Sequence, residues 1–334
     1  MTTKPIALIC LFILTNMIVT GQSRGGSTSI PRIIFDTDMG PDYDDVGAIA
    51  ILHAFADSGD IKLLATIAST KYPGVAATLS VLNTYFGRPK LPIGVPRGNA
   101  VEIRDWQGWS DSLQKNYPHN ITSNDNAEDA TGLYRKLLAS AEDRSITIVT
   151  VGFFTNLSEL LQSKPDQYSA LDGKQLVATK VKSLVSMAGI FPVGKEFNIE
   201  KDVKAAQFVC NNWPGSILFS GFEIGKEIRT GLPLTRRDDI TNSPVKDVFS
   251  ICIPKSKDDL QGRMSWDQTA VLIASKPSSP FFDLTKGHIQ VKDDGSNTWT
   301  DGDGSHNYVR FRSSPLIVQE YLEHLMSHQP KKRK

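Results

Sequence analysis

Five aspartates fall within ten residues of this chain: Asp36, Asp38, Asp42, Asp44 and Asp45. They follow Ile33-Ile34-Phe35, an apolar run that reads as a buried strand, and Gly40-Pro41 marks a turn among them. Asp44-Asp45 then opens Val46-Gly47-Ala48-Ile49-Ala50-Ile51-Leu52, which reads as a helix. The carboxylates therefore stand at the carboxyl end of a strand, where open α/β sheets place their ligands. One acid there would be a helix cap. Five at close range repel one another strongly unless a cation or sugar hydroxyls engage some of them. Ligands that are all oxygen suit Ca²⁺ or Mg²⁺ rather than Zn²⁺. Helix caps and surface charge account for one or two of the acids and leave their density unexplained.

The elements that must position these acids alternate along the chain. Lys62–Ala68, Leu91–Val95, Ser145–Val151, Val181–Ala188 and Ser216–Ser220 read as strands. Val75–Phe86, Ala130–Ala141, a segment starting near Thr155, Val203–Val209 and a segment around Asp267–Ala274 have helical spacing. Repeated β-α-β order predicts a single α/β domain over residues 30–328, a mainly parallel central sheet flanked by helices. Gly287 to Arg312 alternates and turns like a hairpin. Arg97 to Asn126, with Trp106, Trp109, Tyr117 and His119, is long for a connection. It is either an active-site flap or a surface loop pinned by its tryptophans.

The 334 residues carry a formal net charge of +1, with 40% hydrophobic and 22% charged residues. That balance gives no reason to expect a nucleic-acid or membrane-surface partner. Lys4, the apolar core Leu8-Ile9-Cys10-Leu11-Phe12-Ile13-Leu14 and the small-residue exit near Gly21 describe a signal peptide over residues 1–21. The expectation is a secreted or periplasmic protein, with no membrane span once the leader is cleaved. Cys210 and Cys252 remain after cleavage; they could pair, but isolated cysteines are more often buried apolar residues. No CxxC or Cys/His cluster points to zinc. Residues 329–334 read as a solvated basic tail.

Four segments, in order, resemble the nucleoside hydrolase family. The first is the strand followed by Asp36-Thr37-Asp38, a turn, and Asp44-Asp45-Val46-Gly47-Ala48, the turn being two residues longer than the common family form and including Asp42. Thr150-Val151-Gly152-Phe153-Phe154-Thr155-Asn156-Leu157 is similar to the family's Gly-x-x-Thr-Asn-Leu turn. Glu196-Phe197-Asn198, with Asp202 and Ala205-Ala206, is similar to its Glu-Phe-Asn segment. Trp266-Asp267-Gln268-Thr269-Ala270 falls where the family has a His-Asp pair. The resemblance implies Ca²⁺ held by Asp38, Asp45, Asp267 and the carbonyl of Val151, with water and ribose hydroxyls completing its six to eight oxygens. It implies Asp38 as general base for a water attacking the anomeric carbon of a ribonucleoside or N-riboside. Asp36 would brace the site, Asp44 would accept from the sugar hydroxyls, and Glu196 and Asn198 would hold the rest of the ribose. The implied partner is a small molecule, and a homo-oligomer is left open.

Two departures stand out. Trp266 occupies the position of the family's leaving-group histidine, and an indole can stack on a base but cannot act as an acid. Ser69-Thr70-Lys71-Tyr72 stands where the family has an asparagine after the second strand. His119, His306 and Tyr117 are loose candidates for the missing acid, though a loop histidine is more often simply solvated. Two rivals remain. A haloacid-dehalogenase-type phosphatase would use Asp-x-Asp with a later Gly-Asp-Gly motif, which Gly302-Asp303-Gly304-Ser305-His306-Asn307 nearly matches. A secreted calcium-dependent sugar-binding protein would keep the cation and the ribose contacts without turnover.

Overall fold

Residues 30–330 are described by a computed structural model, and the leader-like residues 1–21 lie outside them. The strands are β1 (Arg32–Thr37), β2 (Lys62–Ala68), β3 (Ile93–Val95), β4 (Glu128–Asp129), β5 (Ile146–Thr150), β6 (Val181–Met187), β7 (Val193–Lys195), β8 (Ile217–Ser220), β9 (Arg229–Thr230), β10 (Arg263–Met264), β11 (Phe282–Val291), β12 (Ser296–Asp301) and β13 (His306–Phe311). In β1, Ile33 and Phe35 enter one core cluster and Ile34 enters another. Alternate side chains point to opposite faces, so a strand buried on both faces must be apolar without a break. β5 and β6 repeat the division: Val149 and Val185 lie on the first side, Ile148 and Leu184 on the second.

Among the described residues, eleven strands form one sheet in the order β4-β3-β2-β1-β5-β6-β8-β13-β11-β12-β7, and β9 pairs with β10 separately. From β4 to β13 every neighbour is parallel. The order runs outward from β1 through β2 and from β5 through β6, so the β1/β5 junction is the topological switch point. The tail read as a hairpin is instead three antiparallel strands, β11, β12 and β13. β13 also pairs in parallel with β8, and β12 pairs with β7, so the tail extends the main sheet.

The helix Asp44–Ser58 follows β1 and is buried from Asp44 to Phe55. It shows no polar face because it packs against the helices Trp266–Ser275 and Pro315–Met326 as well as the sheet. Gly59, at φ 80°, ends it in the left-handed conformation. The helices Gly173–Lys180, Pro244–Cys252 and Pro315–Met326 lie outside the segments whose spacing predicts a helix. For the last two the signal was proline in the first turn. No helix among the described residues is long and apolar enough to cross a membrane. Cys210 and Cys252 are both buried and unpaired.

The Arg97–Asn126 segment is anchored. Thr70 bridges to Val101, and the Thr70 hydroxyl donates to the Val101 carbonyl at 3.1 Å. The Ser69–Tyr72 stretch thus ties this segment down, with the Tyr72 ring packed over Gly40. Trp109, in the helix Trp109–Asn116, is fully buried, whereas Trp106 is 66% exposed. Trp109→Ala should therefore cost about 3–5 kcal/mol in urea denaturation. Trp106→Ala should change stability by no more than about 0.5 kcal/mol.

Candidate active site

Four of the five clustered acids are buried, which removes surface charge as their explanation: Asp36, Asp38, Asp44 and Asp45, together with Asp267, are each at most 5% exposed, whereas Asp42 is half-exposed. β1 delivers Asp36, and Asp38 follows at its carboxyl end. Asp44 and Asp45 form the first turn of one helix and Asp267 that of another. Both helices therefore aim their positive ends at the acids. One carboxylate oxygen each of Asp44, Asp45 and Asp267 lie within 4.8 Å of one another, a grouping that holds Asp44 where the expected ligand set has Asp38. Gly152, just after β5, lets the chain pass close to the Asp38 backbone, where any side chain would collide.

The polar partners are unevenly shared. Asp36 accepts from the Tyr134 hydroxyl at 2.8 Å and the Asn156 amide at 3.0 Å, leaving its Oδ1 without a partner. Asp45 accepts from the Thr37 hydroxyl through Oδ1, while its Oδ2 has none. Burial pushes Asp36 up to about 7. Burial and then neighbouring carboxylates hold Asp38, Asp45 and Asp267 well above the usual range. Burial also raises Asp44, to about 6, although Arg263 opposes the shift.

Val151, Glu196 and Asn198 come to the same place. The Asn198 amide donates to the Val151 carbonyl at 3.0 Å and to the Met187 carbonyl at 3.1 Å. Glu196 caps its short helix, accepting from the backbone of Gly189, Asn198 and Ile199. Its pKa is pushed up to about 7 by burial, against those hydrogen bonds. Asp38, Asp44, Asp45, Val151, Glu196, Asn198, Trp266 and Asp267 all line one cavity of about 470 Å³, a size suited to a small organic ligand. Asp36 lies behind it. A larger cavity of about 770 Å³ lies at the amino-terminal ends of the strands, where Asp60 pairs with Lys276; the acids are all at the opposite end.

The cavity is lined by aromatic rings as well as by acids. Trp106, Phe197, Phe222 and Trp266 line it, with Ile103 and Arg104 from the anchored segment. The Trp266 indole donates to the Phe222 carbonyl at 2.8 Å and stacks on the Phe222 ring, centroids 5.0 Å apart.

Sequence reasoning missed Arg263. It is buried beside the acids, 2.6 Å from Asp42, 3.2 Å from Asp44 and 3.7 Å from Asp259. Burial opposes its charge, but the three carboxylates outweigh burial and raise its pKa. Asp44 is consequently engaged on both oxygens, Oδ1 by Arg263 and Oδ2 by the Asp267 N–H at 3.2 Å. A single arginine in a short strand has no periodic signal. Only its place three residues before Trp266 pointed to the site.

The loose acid candidates lie elsewhere. None of Tyr117, His119 and His306 lines the cavity. His306 is buried rather than solvated, and burial lowers its pKa to about 4. Tyr117 donates to Asp247 at 2.6 Å. Asp303, which the phosphatase reading needs, is fully exposed in the turn after β12.

The donor set fits a hard divalent cation. It is all oxygen, it is buried, and one carboxylate oxygen of Asp45 has no protein partner. Without such an ion the raised pKa values give a defined pH dependence. A carboxyl raised in the folded state contributes stability that is full below its unfolded pKa, near 4, and is lost as pH rises through its folded pKa. For Asp44, Asp36 and Glu196 that loss runs from about 4 to about 7. The Tm of chelator-treated protein should fall between these pH values, and added Ca²⁺ should restore it at the upper end. A Tm that is flat with pH and insensitive to Ca²⁺ would contradict the site.

Comparison with known proteins agrees with this geometry. The family model of inosine-uridine preferring nucleoside hydrolases matches residues 33–312. A plant nucleoside hydrolase structure superposes with a TM-score of 0.66 at 18% identity, covering 89% of this chain and 99% of that one. A purine-preferring ribonucleoside hydrolase from Gardnerella vaginalis gives 0.67 at 16% identity, covering 88% and 98%. The type III effector protein XopQ, complexed with adenosine diphosphate ribose, gives 0.60 at 13%, covering 90% and 93%. No curated protein matches the chain. At these identities the structures establish a shared fold, and the family match over most of the length establishes kinship: the chain belongs to the inosine-uridine preferring nucleoside hydrolase family.

Proposed function

We propose that this protein hydrolyses the N-glycosidic bond of ribonucleosides or related N-ribosides. The observation that carries the reading is a single cavity lined by both buried aspartates and aromatic rings. A nucleoside offers both kinds of surface, hydroxyls at one end and a flat base at the other. Asp38, Asp45, Asp267 and the Val151 carbonyl are the proposed ligands of a Ca²⁺ ion. When bound, such an ion acidifies water and orients sugar hydroxyls.

The chain's own residues supply the rest. Asp38 takes the proton of the attacking water as general base. Cleavage builds positive charge on the ribose ring, and the surrounding carboxylates stabilise it. Asp44 faces the sugar hydroxyls while fixed by Arg263 and Asp267. Glu196 and Asn198 hold the ribose from the other side, and Asn198 also fixes the Val151 carbonyl. Asp36 braces the floor through Tyr134 and Asn156. Trp266, whose ring packs against Phe222 and Arg263, borders the base. Export directed by residues 1–21 would place this reaction outside the cytoplasm.

Among the described residues, no histidine lines the cavity. That favours substrates whose leaving group departs without an acid, and it keeps open a second reading, binding without turnover. A panel of ribosides, assayed with Ca²⁺ and with chelator, tests both. The expected result is chelator-sensitive cleavage, with 4-nitrophenyl riboside turned over faster than inosine. Asp38→Asn should lower kcat by about 10²–10⁴-fold. Binding with no turnover of any riboside would favour the second reading, and release of phosphate from sugar phosphates would favour a phosphatase.

A further inference from the structure

The acid cluster is not balanced by helix ends alone. Arg263 stands in it as a resident cation, held by the β9/β10 pairing of its backbone with Thr230. Its guanidinium touches Asp42, Asp44 and Asp259 and lies against two rings, 5.1 Å from the Tyr43 centroid and 5.0 Å from that of Trp266. Asp42 belongs to the lengthened turn, so a longer turn, an added acid and its arginine partner meet beside the indole that replaces an acidic group.

We propose that Arg263 is a positioning residue that sets the charge behind the leaving-group wall, favouring departure of the base by its positive charge rather than by a proton. This rests on the N-ribosidase reading. A riboside with its hydroxyls on the acids lays its base among the aromatic residues of the lining, and Trp266 adjoins Asp267, so the indole stands at the sugar–base junction. The C1′–N bond breaks with its electron pair on the base. The water oxygen bonds to C1′, Asp38 takes the proton, and the base is protonated by solvent after departure. Arg263 keeps its proton throughout, as a guanidinium does. A unit charge placed behind the indole, in a partly screened interior, is worth roughly ten- to a hundredfold in rate.

A positive charge helps a poor leaving group more than a good one, which separates this role from simple propping of the fold. The test measures kcat and KM for inosine and 4-nitrophenyl riboside in the wild type, Arg263→Met, Arg263→Lys and Asp42→Asn, with calorimetric Ca²⁺ affinity alongside. Arg263→Met should lose roughly ten- to a hundredfold in kcat on inosine and only a few-fold on 4-nitrophenyl riboside, while any change in KM from the release of Asp44 should be the same for both substrates. Arg263→Lys should recover part of the inosine rate. Asp42→Asn, at a half-exposed position, removes a negative charge beside the guanidinium, so the inosine to 4-nitrophenyl riboside ratio of kcat should rise. Equal losses on both substrates in Arg263→Met would overturn the proposal and leave the hydrolase reading intact. So would an Asp42→Asn ratio that is unchanged or lower. A wild type that binds Ca²⁺ but cleaves neither riboside would overturn both.

Discussion

The rest of this structure depends on keeping mutually repelling carboxylates together out of water. Asp38, Asp44, Asp45 and Asp267 converge from one strand end and two helix starts, and all are nearly inaccessible. Charges so placed are costly unless paired or hydrogen-bonded. The chain answers with helix amino termini, with the hydroxyls of Thr37 and Tyr134, with the Asn156 amide and with Arg263. These do not satisfy every oxygen, since Asp36 and Asp45 each keep one without a partner. An oxygen-seeking cation is the remaining compensation that the donor set suits.

The topology makes that convergence possible. At the β1/β5 junction the sheet divides, and the chain leaves β1 and β5 toward opposite sides, opening a crevice above their carboxyl ends. Burial of β1 on both faces fixes its register, so Asp36 turns inward toward Tyr134 while Asp38 reaches the cavity. Gly152 permits the close passage of the β5 exit past Asp38. The helix Trp266–Ser275 packs on Asp44–Ser58, which brings Asp267 to Asp44 although 223 positions separate them.

Much of this was legible in the residues because it is written in local patterns. Double-sided burial produces unbroken apolar runs, so β1, β2, β5, β6 and β8 could be read within a residue or two. The acidic site could be read because five aspartates in ten residues have no ordinary structural explanation. What escaped depends on contacts far apart in sequence. The tail was read as a hairpin because alternation does not reveal that β13 uses its second edge on β8. Trp106 and Trp109 look alike in the sequence, yet only Trp109 enters the core. Arg263 gained its meaning from Asp42, more than two hundred positions earlier.

The central claim is that the buried acids form one cation site. Calorimetric titration of the chelator-treated protein with CaCl₂, at about pH 6 in two buffers of different ionisation enthalpy, tests it most directly. The account predicts one ion bound per chain, with protons released as raised carboxyls ionise around it. Absence of binding into the millimolar range, or binding with no proton release, would contradict it.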